Sequence, residues 1–170
     1  MKYSLWVGLV FRLVLAGILG FAGLTKIFQG DGARLAVVAY RILPHNLDTI
    51  VGYGLPALEI LLSLLLLIGL FTRWAALATA LLMVVFIGGI ISVWVRGYSI
   101  DCGCFGGGGD VSPEGLAQRY LSEIGRDIVF AAMAIWLIIK PKTKFSLDPS
   151  EAPTEFTDED SPQDETQALA

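Results

Sequence analysis

Long apolar blocks separated by short polar interruptions organise most of this chain. Ser4 to Phe28 is broken only by Arg12 and Lys26, Val51 to Phe71 only by Glu59, and Trp74 to Val95 carries no charge. About 20 residues rising 1.5 Å each cross roughly 30 Å of hydrocarbon, so each block predicts a transmembrane helix. A fourth block, Ile128 to Ile139, reaches spanning length only by starting near Leu121 and admitting Glu123, Arg126 and Asp127. Helices buried against neighbours carry paired charges near their ends, so this segment too is expected to span. The predicted fold is all-α: a polytopic bundle of four transmembrane helices over residues 1–145, embedded in the lipid bilayer.

Composition agrees, because 55% apolar and 16% charged residues are too hydrophobic for an ordinary soluble domain. The first block is expected to remain in the mature protein: Arg12 lies inside it, and "LAGILGFAG" is not followed by a small-residue cleavage site. Residues 146–170 read differently. From Asp148 onward there are eight acidic residues, no basic ones and three prolines. Such a stretch buries too little surface to offset chain entropy, and a disordered acidic tail is expected.

Four spans place both termini on one side. Thr72 and Arg73 then form a tight inner turn, while the loops Gln29 to Ile50 and Gly97 to Tyr120 share the opposite face. Lys2, Arg73, Lys140, Lys142 and Lys144 stand against Arg34, Arg41, Arg96 and Arg119. The dense "KPKTK" after the fourth block resists translocation and sets the termini in the cytoplasm. In the first outer loop, "ARLAVVAYRILPHNLD" repeats Leu35, Val38, Ala39 and Ile42 at helical spacing until Pro44. A short helix lying in the membrane interface is expected there, with His45 a candidate neighbour of the second outer loop.

That second loop, "RGYSIDCGCFGGGGD", contains both cysteines of the chain, Cys102 and Cys104. Gly103 between them lets the backbone bring the two sulfurs together in a small ring. A ring of that size departs from relaxed disulfide geometry, and such disulfides are the labile, catalytic or regulatory ones. Gly106 to Gly109 keep the approach uncluttered, Phe105 can anchor the segment, and Arg96 and Asp101 supply charge of both signs. A structural clip is the plainer use, yet closing so short a loop removes little unfolded-state entropy. Metal binding is the third use of C-x-C; His45 and Asp101 leave the ligand set thin for zinc unless a dimer contributes more thiolates.

The charged residues inside the spans also need a role. Glu59 lies about 12 Å below the outer end of the second span at 1.5 Å per residue, and Lys26 and Arg126 are the cations within reach. An ion pair inside the bundle is expected, fixing helix packing or carrying protons released by thiol oxidation. Arg12, nearer the inner side, is expected to snorkel to the headgroups.

The segments "RLVLAGILGFAGLTKIFQ", "YRILP", "LPALEILLSLLLLIGLFTRWAALATALL", "RGYSIDCGCFGG" and "RDIVFAAMA" occur in the order and spacing of one family. Over roughly Leu5 to Ile139 the chain resembles the MauE methylamine-utilisation membrane proteins, within a wider DoxX-like group. The resemblance implies a multi-pass protein of the bacterial cytoplasmic membrane that supports disulfide formation in extracytoplasmic proteins. The implied partners are a thioredoxin-like protein and a disulfide-containing client, with Cys102 and Cys104 as the redox pair. One pair of cysteines cannot meet client and electron acceptor separately, so a partner protein, a quinone as cofactor, or both complete the path. A non-catalytic scaffold for a maturation complex is the alternative. Nucleic acid is excluded as a partner, for there is no basic stripe, and "GGGGD" lacks the Lys and Ser or Thr of a phosphate loop.

Overall fold

The computed structural model describes residues 2–42, 44–103, 109–141 and 143. Five helices follow in order: α1 (Lys2–Phe28), α2 (Gly32–Ala39), α3 (His45–Ile68), α4 (Thr72–Val95) and α5 (Leu116–Ile139). Between α4 and α5 lie two short strands, β1 (Ile100–Asp101) and β2 (Gly109–Asp110), paired antiparallel. The all-α expectation thus holds for the helices, and the loop between α4 and α5 adds a small hairpin that periodicity in a glycine-rich stretch could not signal.

Helix α1 packs chiefly on α3, α4 on α5, and α2 lies across α3. The α1–α3 seam is close because small residues line it. A Cβ placed on Gly23 would come within 2.7 Å of Ile60 Cγ1 and 3.0 Å of the Pro56 carbonyl. Across the same seam Ser63 Oγ donates to the Ala16 carbonyl at 2.7 Å. Small residues of this kind let backbones approach where lipid supplies no hydrophobic drive between helices. The core that results holds Leu15, Leu19, Leu62, Leu66, Met83 and Leu137 with alanines of α1, α4 and α5. Large apolar side chains such as Phe21, Leu61, Val85 and Val129 point outward instead. That is the arrangement of a bundle whose solvent is hydrocarbon.

Three helical segments are long and apolar enough to cross a bilayer: Leu5–Phe28, Leu47–Ile68 and Thr72–Val95. The segment expected to form the fourth span is the helix α5, 24 residues long, but Arg119, Glu123, Arg126 and Asp127 load its first half with charge, and it is not among the three.

Boundaries move in three places. Helix α3 starts at His45, six residues before Val51, because Pro44 serves as its extended N-cap as well as ending the preceding pattern. The turn between α3 and α4 is made by residues 69–71, with Gly69 and Phe71 both left-handed, and Thr72 and Arg73 already belong to α4. The expected short helix is α2, whose Ala33 and Ala36 face the protein while Leu35 and Val38 are exposed. Arg12 does not snorkel. It is 2% exposed, and its Nη1 donates to Thr143 Oγ1 at 2.8 Å, so the segment after α5 folds back to cover it.

Candidate functional site

The end of the bundle where α2 lies, α4 stops and α5 starts carries a second buried cluster of Ile90, Val93, Ile100, Cys102 and Tyr120. The hairpin register, Ile100 opposite Asp110 and Asp101 opposite Gly109, closes the cysteine segment into one loop. Tyr120 anchors it. Its hydroxyl accepts from the Ile100 N–H at 3.0 Å and lies 3.0 Å from the Tyr98 carbonyl and 3.1 Å from that of Ile100. The ring packs edge-on against Trp94. From the other side Tyr40 Oη donates to the Cys102 carbonyl at 3.1 Å. Gly103 takes a left-handed φ of 66°, and its N–H donates to Asp101 Oδ1 at 3.2 Å. A side chain at position 103 would be strained in that turn.

Cys102 is consequently held, and it is buried, at 8% exposure. Its sulfur, a carboxylate oxygen of Asp101 and one of Glu123 lie within 4.8 Å of one another. Glu123 approaches from α5 and shares a hydrogen bond with the Cys102 side chain. Cys102 and Gly103 line a cavity of about 40 Å3 together with Ala33, Ala36, Tyr40, Phe86 and Lys26. One water occupies about 10–15 Å3 on that measure, so the space suits two or three waters rather than an aromatic ring.

Lys26 pairs with Glu59: Nζ stands 2.5 Å from Oε1, with the two side chains 4% and 1% exposed. The ammonium also lies over the Phe86 ring at 5.3 Å. The second carboxylate oxygen, Glu59 Oε2, is buried without a hydrogen-bond partner among the described residues. Arg126 takes no part in this pair. It binds the neighbouring buried Asp127 through Nε and Nη2 at 3.1 and 3.0 Å.

Arg96 sits away from the sulfur. Its guanidinium donates to the carbonyls of Tyr40 at 2.6 Å and Arg41 at 3.3 Å and stacks on Tyr98, which ties the end of α2 to the end of α4. Of the residues named from sequence, the fold gathers Asp101 and Cys102 at one point, and Lys26, paired with Glu59, lines the same cavity as Cys102. Cys104, Phe105, the glycines 106–108 and the tail lie outside the described residues, as does the His45 side chain. Glu123 and the two tyrosines were missing from that set. The spacing Tyr120, Glu123, Asp127 follows one face of a helix and was the available signal.

The sequence matches the family model of methylamine utilisation protein MauE over residues 4–140. No curated protein and no solved structure matches the chain. A match that runs from the start of α1 to the end of α5 and takes in the whole cysteine hairpin means that this chain belongs to the MauE family of methylamine-utilisation membrane proteins.

Proposed function

We propose that this protein is an integral membrane thiol–disulfide exchange component that supports disulfide formation in extracytoplasmic proteins. All four long helices cross the cytoplasmic membrane, α2 rests in its outer interface, and both termini are cytoplasmic. The Cys102–Cys104 disulfide accepts a thiolate from a thioredoxin-like partner, forming a mixed disulfide. A second partner thiol then closes the partner's own disulfide and leaves Cys102 and Cys104 reduced, so two electrons pass into the chain. Reoxidation passes them to a quinone or a second protein, and the beneficiary is a disulfide-containing client.

One observation carries the reading: the cysteine segment is held by Tyr40 at the Cys102 carbonyl and by Tyr120 of α5 at Ile100, with the Cys102 sulfur beside a carboxylate, although cross-linking across two residues contributes almost nothing to stability. Burial of Cys102 favours the scaffold alternative, in which the sulfurs only staple the loop. Trapping separates the two. Cys102→Ala and Cys104→Ala, expressed singly in membranes, are expected to give covalent, dithiothreitol-sensitive adducts with a thioredoxin-like protein from at least one variant. No adduct from either, with client maturation unimpaired in both, removes the exchange role.

A further inference from the structure

Thiol–disulfide exchange needs a place for the proton of each sulfur that leaves or attacks, because only the thiolate reacts. In water that place is solvent. Cys102 is buried, and two carboxylates stand at its sulfur: Asp101, its neighbour on β1, and Glu123 on α5, which shares a hydrogen bond with the thiol and which the hairpin reaches only in the folded chain. Glu123 Oε2 is itself buried without a hydrogen-bond partner among the described residues. Among the described residues, Asp101 on β1, Arg119, Tyr120 and Arg126 on α5, Tyr40 just after α2 and Lys26 of α1 at the shared cavity are the other ionisable groups around the pair. Asp101 Oδ1 accepts the Gly103 N–H and Arg126 pairs with Asp127, whereas Glu123 shares its hydrogen bond with the sulfur itself.

We infer that Glu123 is the catalytic acid and base for Cys102, giving a proton to its sulfur when the disulfide opens and taking it back when the disulfide closes. This rests on the exchange function proposed above and assigns the sulfurs their order. Partner thiolate attacks Cys104, the Cys102–Cys104 bond breaks, and its electron pair leaves on Cys102. Protonated Glu123 supplies the proton that makes this a thiol. In reverse, the Glu123 carboxylate removes that proton, Cys102 thiolate attacks Cys104, the intrachain bond forms and the partner departs as its thiolate. Atoms and electrons balance within the two proteins, because the electrons gained by the Cys102–Cys104 pair are those lost by the partner's thiols. The buried sulfur never meets the partner. It acts as leaving group and resolving thiol, roles that need a local proton carrier more than they need access.

The test uses the full-length protein in detergent with chelator present throughout, which strips any metal the same atoms would hold. Dithiothreitol serves as the dithiol. Glu123→Gln is expected to slow opening of the pair about tenfold or more at neutral pH, within the usual range for loss of an acid–base group, and Glu123→Asp to fall between it and wild type. In a Cys104→Ser background, iodoacetamide reports the Cys102 titration. Replacing the carboxylate with a neutral amide removes repulsion and donates to the thiolate, so the midpoint should move down and labelling at pH 7 should rise severalfold. Wild-type protein whose disulfide dithiothreitol leaves closed sinks the exchange function and this role with it. Wild-type opening that Glu123→Gln matches in rate overturns the role of Glu123 alone, whether or not the titration moves.

Discussion

Among single residues, Tyr120 is the one on which the hairpin depends. One phenol oxygen satisfies the Ile100 N–H and lies against two carbonyls, in a side chain with no exposed surface. Removing it strands a buried backbone donor, which costs about 1–3 kcal/mol. Tyr120→Phe is therefore expected to open the hairpin locally, so that alkylation of Cys102 in a Cys104→Ser background accelerates about tenfold for each 1.4 kcal/mol lost. The thermal unfolding midpoint of the bundle should barely move, since the opening is local. Unchanged labelling would show that Tyr40 and the strand pairing suffice. The cysteines announced themselves through the C-G-C spacing, and the glycine between them is required by its left-handed turn. Tyr120 and Glu123 did not stand out, because a tyrosine and a glutamate in a helix are ordinary until something folds onto them.

Between elements, the pairing that sequence left undecided is Lys26 with Glu59, which joins α1 to α3 across their small-residue seam. Both side chains are buried, so removing one partner leaves an uncompensated charge. Lys26→Met should destabilise the protein by about 3–5 kcal/mol, and an apolar replacement of both, Lys26→Met with Glu59→Leu, should recover most of it. Thermal unfolding of the detergent-solubilised variants measures this. Dithiothreitol exchange in the double variant then assigns the role. Retained exchange is the expected result and makes the pair a packing device. A folded double variant without exchange would make Glu59 a proton carrier for the cavity under Cys102. Arg126 was the other cation expected within reach of Glu59, and it pairs instead with its own neighbour on α5, Asp127.

For the whole molecule, the hairpin, α2 and the adjoining ends of α3, α4 and α5 form one end, while the 69–71 turn and the Arg12–Thr143 contact mark the other. The function proposed requires the first end to face the oxidising compartment. In a Cys102→Ser/Cys104→Ser background, the exposed positions Ser112 and Arg73 can each carry a reporter. A membrane-impermeant maleimide is expected to label Ser112→Cys in intact cells and Arg73→Cys only after permeabilisation. The opposite pattern would put the hairpin in the reducing cytoplasm, where a labile disulfide could not persist.

By itself the sequence determined the helices and their approximate extents, the apolar exterior, the family and the pair of cysteines. Each of these is written in contiguous residues, because a membrane imposes length and hydropathy on every span separately. Only the tertiary structure decided which cation meets Glu59, that Arg12 is covered rather than snorkelling, and that Cys102 sits buried against Glu123. Those outcomes depend on the rotation and offset of one helix against another. Rotation and offset are set by close packing at positions far apart in the chain, such as Gly23 on Ile60 and Tyr120 under Ile100.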